Sequence, residues 1–319
     1  MQIASASETE SPALRRNVLA YHPVELLHEW ETRTNRPRRR EHDAQLLGRW
    51  SATLDATLGV STPTIEPELM IVLTTFGRPL LATRLLATLR AALDEARLTE
   101  RAALLVLHDA CEEDYTAARH AARRVCPSHL WLDARQRFGK PEFWQVHQTV
   151  LLAARAWRPQ LALYLQDDVE FAPDLITQAR ALWSATAHDP LRRALYLFSS
   201  SDDEAGGRWV PFERRPAGRV RQTNWFDLQA FMVDRAFFEL LDHRMVPIHP
   251  NRWRRRPEQS SGVGRQLTCR LFGRGNVYQA WPPLVMHGAA PSSMNPEARR
   301  LRPLDNRADY PVVRDRSAA

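Results

Sequence analysis

Leu161-Ala-Leu-Tyr-Leu-Gln-Asp-Asp-Val-Glu170 is the stretch that decides how this chain is read. An apolar run with the character of a buried strand stops at two adjacent carboxylates, Asp167 and Asp168. Two acids taken out of water side by side cost free energy unless something binds them. In an open α/β sheet the carboxyl edge of the strands is where ligands lie. The simplest partner there is a divalent cation carrying a phosphorylated molecule. Successive strand residues face opposite ways, so one of the two acids is enough to meet the ion. The competing reading of the pair is a helix cap or a surface turn.

Outward from this stretch, strands and helices alternate. Leu69–Thr75 has the composition of a buried strand, and Phe76-Gly-Arg-Pro79 turns into a helix whose apolar face carries Leu81, Leu85, Leu86 and Leu89. Pro79 suits the first helical turn. Ala102–His108 is a second strand, ending at Asp109. A short third strand at Leu130–Leu132 precedes Phe138-Gly-Lys140, and a helix runs from about Phe143 to Trp157. The pattern predicts an α/β fold, a mainly parallel sheet flanked by helices. Thr75, Asp109 and Asp167 would then gather on one edge. Further on, strands are expected at Ala194–Ser199, Leu228–Val233 and Leu284–His287, and helices from about Asp234 and over Val263–Phe272. The polar stretch from Ser200 to Arg221 reads as a mobile loop.

Residues 1–66 read as an N-terminal helical extension and linker, 67–301 as the main domain and 302–319 as a weakly ordered tail. With 319 residues, 44% hydrophobic and 25% charged, the chain has ordinary globular composition. Its apolar runs are too short to span a bilayer, and the first residues lack the pattern of a signal peptide. Cys111, Cys126 and Cys269 have no metal-ligand spacing and fit free thiols in a reducing cytoplasm. The formal charge is +7 and the cations are almost all Arg, which fits either a polyanion partner or a solvated basic surface.

Four segments together resemble nucleotide-sugar glycosyltransferases of the GT-A fold, in the broad family-2-like group. They are Ile71–Pro79, Asp109, Leu165-Gln-Asp-Asp-Val169, and Pro283-Leu-Val-Met-His287 followed by Ser292-Ser-Met-Asn295. The resemblance covers about residues 68–297 and implies a GT-A-like, Rossmann-like sheet. It implies that Leu165–Val169 is the metal-binding strand end, with Asp168 the preferred ligand for Mn²⁺ or Mg²⁺ beside Asp167. It also implies that His287 closes on the diphosphate and metal, and that Asp109 meets base or ribose. Gln166 stands where the usual signature has its first acid. Ser260–Gly264 lies where inverting members carry a catalytic acid, and no acid is found there.

Read as chemistry, Thr74, Thr75 and Arg78 could hold uracil or phosphate, or could be turn residues beside a surface Arg. Asp109 could accept from ribose or base, or serve a turn. Lys140 could contact a phosphate, with Gly139 allowing close approach, or both could belong to a plain loop. His287 could be a ligand or a core histidine; His108, His147 and His249 read as structural. Asp227, beside Trp225 and Phe226, ranks first as general base, ahead of Asp202, Asp203 and Glu204. Arg38–Arg40 and Arg252–Arg256, with Trp253 inside the second, could hold nucleic acid or simply solubilise.

The expected activity is transfer of a sugar from a nucleotide-sugar donor, most simply a UDP-sugar, to a hydroxyl acceptor with Mn²⁺ or Mg²⁺. The acceptor could be a modified base in DNA, a glycan or a protein. The alternatives are a nucleotidyltransferase, disfavoured by the glycine-poor turn after the first strand, and a non-catalytic basic nucleic-acid-binding protein on a degenerate transferase scaffold.

Overall fold

The computed structural model describes residues 36–50, 66–198, 219–223, 228–248, 261–271, 273–281 and 283–287. In chain order the strands are β1 (Leu69–Thr75), β2 (Ala102–His108), β3 (Ser128–Asp133), β4 (Leu161–Gln166), β5 (Val169–Phe171), β6 (Arg192–Tyr196), β7 (Arg219–Thr223), β8 (Ala230–Asp234), β9 (Asn276–Trp281) and β10 (Val285–His287). The helices are α1 (Arg36–Leu47), α2 (Pro79–Glu95), α3 (Thr116–Arg123), α4 (Gly139–Trp157), α5 (Leu175–Ala185), α6 (Arg235–Leu240) and α7 (Val263–Leu271).

Eight strands form one sheet in the order β3-β2-β1-β4-β8-β6-β9-β7. β1 to β4 are mutually parallel, β6 and β9 share their direction, and β8 and β7 run against it. The expected α/β fold with a mainly parallel sheet is therefore what the chain adopts. All seven residues of β1 and all seven of β2 are buried, as apolar strands covered on both faces must be. Helices α2, α3 and α5 pack together, and α4 packs with α1, α6 and α7. The apolar stripe foreseen on α2 is largely the buried one, with Leu85, Leu86 and Leu89 joined by Ala82, Ala92 and Leu93, while Leu81 is only partly buried.

Several boundaries differ from the sequence reading for physical reasons. β3 spans six residues because its whole length pairs with β2. α4 starts at Gly139, four residues before Phe143, because a carboxylate from another loop satisfies its first amides. The polar stretch read as a loop contributes β7, an edge strand held by its ladder to β9. The C-terminal strand β10 pairs antiparallel with β5 in a separate two-stranded sheet.

The segment after α1 is part of the main core. Trp50 is fully buried, and its indole N–H donates to Thr149 Oγ1 on α4 at 2.9 Å. Arg49 reaches Gln145 and Glu142 at 2.8 and 2.7 Å, with its guanidinium 4.1 Å above the Phe138 ring. Asp43 pairs with Arg244 at 2.5 Å. No helix among the described residues is long and apolar enough to cross a membrane.

Candidate functional site

From β1 the chain moves through β2 to β3 on one side, then returns through α4 to β4 on the other. This reversal makes the carboxyl ends of β1 and β4 the topological switch point of the sheet, the place where ligands of open α/β sheets bind. Thr75 ends β1, and Asp167 and Asp168 directly follow β4. The backbone ladder runs one step past the strands: the Asp167 amide donates to Thr74 O at 3.1 Å and the Asp109 amide to Thr75 O at 3.0 Å. The topology thus brings Thr75, Asp109 and Asp167 to one edge, as the sequence suggested, and Thr74, Arg78 and Asp168 with them.

Both acids are buried, Asp167 7% and Asp168 6% exposed. Asp167 Oδ2 accepts from the Phe76 amide at 2.9 Å and from the Thr75 hydroxyl at 2.8 Å. Tyr115 Oη lies 3.0 Å from Thr75 Oγ1 and accepts the Arg78 amide at 2.7 Å. Each hydroxyl has one proton. With Thr75 giving its proton to the carboxylate, Tyr115 gives its own to Thr75. Burial pushes the Tyr115 phenol up to about 12, so it remains a donor at neutral pH. Burial first, and then the charge of Asp168, push the Asp167 carboxyl up to about 7, against the pull of the Phe76 amide, Arg78 and Thr75.

Arg78 meets both acids. Its Nη1 lies 3.0 Å from Asp168 Oδ2 and 3.5 Å from Asp167 Oδ1, and its side chain is 12% exposed. The turn that carries it needs Gly77, at φ +64°, in the left-handed region glycine tolerates best. Pro79 then opens α2 at its first turn.

The second wall is the β3–α4 connection. Asp109 Oδ1 accepts the amides of Ala110 and Phe138 at 3.0 and 2.7 Å, and Oδ2 accepts that of Gly139 at 3.1 Å. This carboxylate therefore ties β2 to the first amides of α4. Lys140, the chain's single lysine, sits half-buried in that first turn. Arg137 lies 4.0 Å over the Phe76 ring, joining this wall to the β1 turn.

Thr74 is engaged inward, 3.1 Å from Tyr164 Oη, which lies 3.3 Å from His147 Nε2. Burial holds that imidazole down to about 3, so His147 is a neutral core histidine, as read from sequence. His108 is also structural. Its Nδ1 meets Asp133 Oδ1 at 2.8 Å, its Nε2 meets Cys111 Sγ at 3.1 Å, and its ring packs on Tyr115 at 4.1 Å. Burial opposes ionisation of Asp133, but hydrogen bonds from His108, Arg119 and Trp131 outweigh it and hold the carboxyl well below its ordinary range. Burial pushes the Cys111 thiol up, aided by its hydrogen bond to Glu113.

Among the remaining candidates, the backbone of His287 pairs in register with Val169, the residue after Asp168. Asp227, Asp202, Asp203, Glu204, Arg252–Arg256 and Ser292–Asn295 lie outside the described residues. Tyr115, Phe76, Arg49 and Trp50 escaped the sequence reading. Their hydrogen-bond partners are 37 to 99 positions away, and only Phe76 lies within a quoted motif, where its role is played by its backbone amide.

Asp167 and Asp168 converge on one cationic centre, the Arg78 guanidinium, with hard oxygen donors. That donor chemistry suits Mg²⁺ or Mn²⁺. Among the described residues no three His, Cys, Asp or Glu are grouped to hold a metal. The pair would supply two ligands at most and leave the rest to water and phosphate, the usual arrangement for Mg²⁺ beside nucleotides.

No protein-family model matches the chain, and no curated protein matches it in sequence. Among solved structures it is similar to the mannosyltransferase PcManGT from Pyrobaculum calidifontis in complex with GDP-Man and Mn²⁺, at 16% identity and TM-score 0.47, over 75% of this chain and 61% of that one. It is similar to S. aureus TarS at 13% identity and TM-score 0.46, over 70% of this chain and 37% of that one. For TarS 1–349 in complex with UDP the values are 14% and 0.45, over 70% and 61%. The chain spans less than two thirds of the length of each.

Proposed function

We propose that this protein is a metal-dependent glycosyltransferase that moves a sugar from a nucleotide-sugar donor, a UDP-sugar in the first instance, to a hydroxyl acceptor. One observation carries the reading: a buried pair of acids, Asp167 and Asp168, stands at the carboxyl end of β4, at the switch point of the sheet. An anionic pair at that edge suits a ligand that brings both a cation and phosphates.

When bound, a Mg²⁺ or Mn²⁺ ion would supply Lewis-acid neutralisation of the departing nucleoside diphosphate. Asp168 would be its principal protein ligand, with Asp167 beside it and His287 joining from β10. Thr75 and the Phe76 amide hold Asp167 in place. Arg78 and Lys140 would contact the diphosphate, and the amides of Phe138 and Gly139 are fixed by Asp109 as part of the nucleotide wall. Thr74 and Thr75 would act through the side chains they hold, Tyr164 and Asp167. Asp227 is our first choice to take the acceptor's proton.

Incubation with a panel of nucleotide-sugars and Mn²⁺, reading released nucleoside diphosphate with and without DNA, tests this. One donor class should be consumed only with metal. Asp168→Asn should lower turnover by at least about 100-fold, as loss of a main transition-state electrostatic group does, while the melting temperature holds. Absence of nucleotide and metal binding by calorimetry would sink the proposal.

A further inference from the structure

We infer that Arg78 is a resident counter-ion: it occupies the acid pair until a divalent cation arrives, then turns to the donor's diphosphate, so that metal and nucleotide enter together. The inference rests on the proposed diphosphate site and adds an order of events to it.

The geometry starts from a shared focus. Arg78 Nη1 is 3.0 Å from Asp168 and 3.5 Å from Asp167, so the guanidinium holds the place between the two carboxylates where an ion would bind both. Metal–oxygen bonds to carboxylates are about 2.0–2.6 Å long. A divalent ion at that focus would therefore crowd a like charge within a few ångströms. One of the two cations must leave.

The backbone of Arg78 is fixed. Its amide is bonded to Tyr115 Oη at 2.7 Å, the preceding Gly77 is set at φ +64°, and Pro79 begins α2. Only the side chain can swing. A buried guanidinium separated from its carboxylates is costly unless another anion receives it. A diphosphate at that edge is such an anion, and it matches the fork of the guanidinium bidentately.

Metal alone must evict Arg78 and brings no anion to receive the guanidinium. Diphosphate alone competes with Asp168 for the same guanidinium. When both bind, each supplies what the other removes. Metal and diphosphate thus help one another by the same factor, as linkage requires.

Mn²⁺ binding, followed by electron paramagnetic resonance on the full chain with and without UDP, tests this in the wild type, Arg78→Gln and Arg78→Lys. In the wild type, UDP should tighten Mn²⁺ roughly 10-fold or more. Without UDP, Arg78→Gln should bind Mn²⁺ several-fold tighter than the wild type, and its gain from UDP should shrink. Arg78→Lys keeps the charge and should bind Mn²⁺ alone as weakly as the wild type. If Arg78→Gln melts early, Arg78→Met keeps the stem's packing and carries the same expectation. A neutral variant that binds Mn²⁺ alone no tighter than the wild type overturns the exchange while leaving the diphosphate site intact. A wild type that binds neither Mn²⁺ nor UDP overturns both.

Discussion

Gly77 adopts φ +64°, and among the described residues a Cβ built there would meet only Glu113 Oε1, at an ordinary 3.7 Å. The cost of Gly77→Ala is therefore backbone strain, about 1–2 kcal/mol for an L-residue in the left-handed region, without a clash. Urea denaturation should show that loss, and calorimetry should show weaker UDP binding, because the turn sets Arg78. Asp133 makes a different prediction. Its folded carboxyl lies below the ordinary range despite burial, held by His108, Arg119 and Trp131. A depressed folded value gives stability that is complete above the unfolded carboxyl pKa, near ~4, and erodes as the pH falls through it toward the folded value. Asp133→Asn should be less stable than the wild type at pH 7, and the gap in urea midpoints should narrow steadily below about pH 4. A gap independent of pH would rule out this account.

Trp50 buries its ring in the core and bonds α4 through Thr149, so Trp50→Ala should cost about 3–5 kcal/mol, as large-to-small core changes do. Arg49→Ala should cost less in stability yet loosen the Phe138–Lys140 turn, seen as faster amide exchange at the start of α4. Neither contact was legible, because Trp50 and Thr149 are 99 positions apart and each looks ordinary by itself. β1, β2 and β4 were legible because a strand covered on both faces must be written as an apolar run. β7 was not, since its Arg-rich sequence pairs by backbone along an edge. β10 was legible as the apolar end of Leu284–His287, whereas β5, three residues long, carries no periodicity and is fixed by its pairing with β10. Asp167 and Asp168 stood out because two acids contradict the run before them. Asp109 was found as a residue, but its hold on Phe138 and Gly139 needed the fold.

At the scale of the whole molecule, the sheet sorts charge. Its parallel strands end on one edge, and α2 and α4 start from that edge, at Pro79 and Gly139. Helix starts carry partial positive charge. Beside the buried acids stand three cations, Arg78, Arg137 and Lys140, and the start of α2, in a chain of net charge +7, while the first amides of α4 are already met by Asp109. Such a layout pulls on an anion before it touches the protein. Stopped-flow mixing with UDP and Mn²⁺ should give an association rate constant that falls steeply as NaCl rises, while the dissociation rate constant changes little. The edge that the alternating strands and helices create would then act over distance as a funnel, setting how often a donor finds the site as well as how firmly it stays.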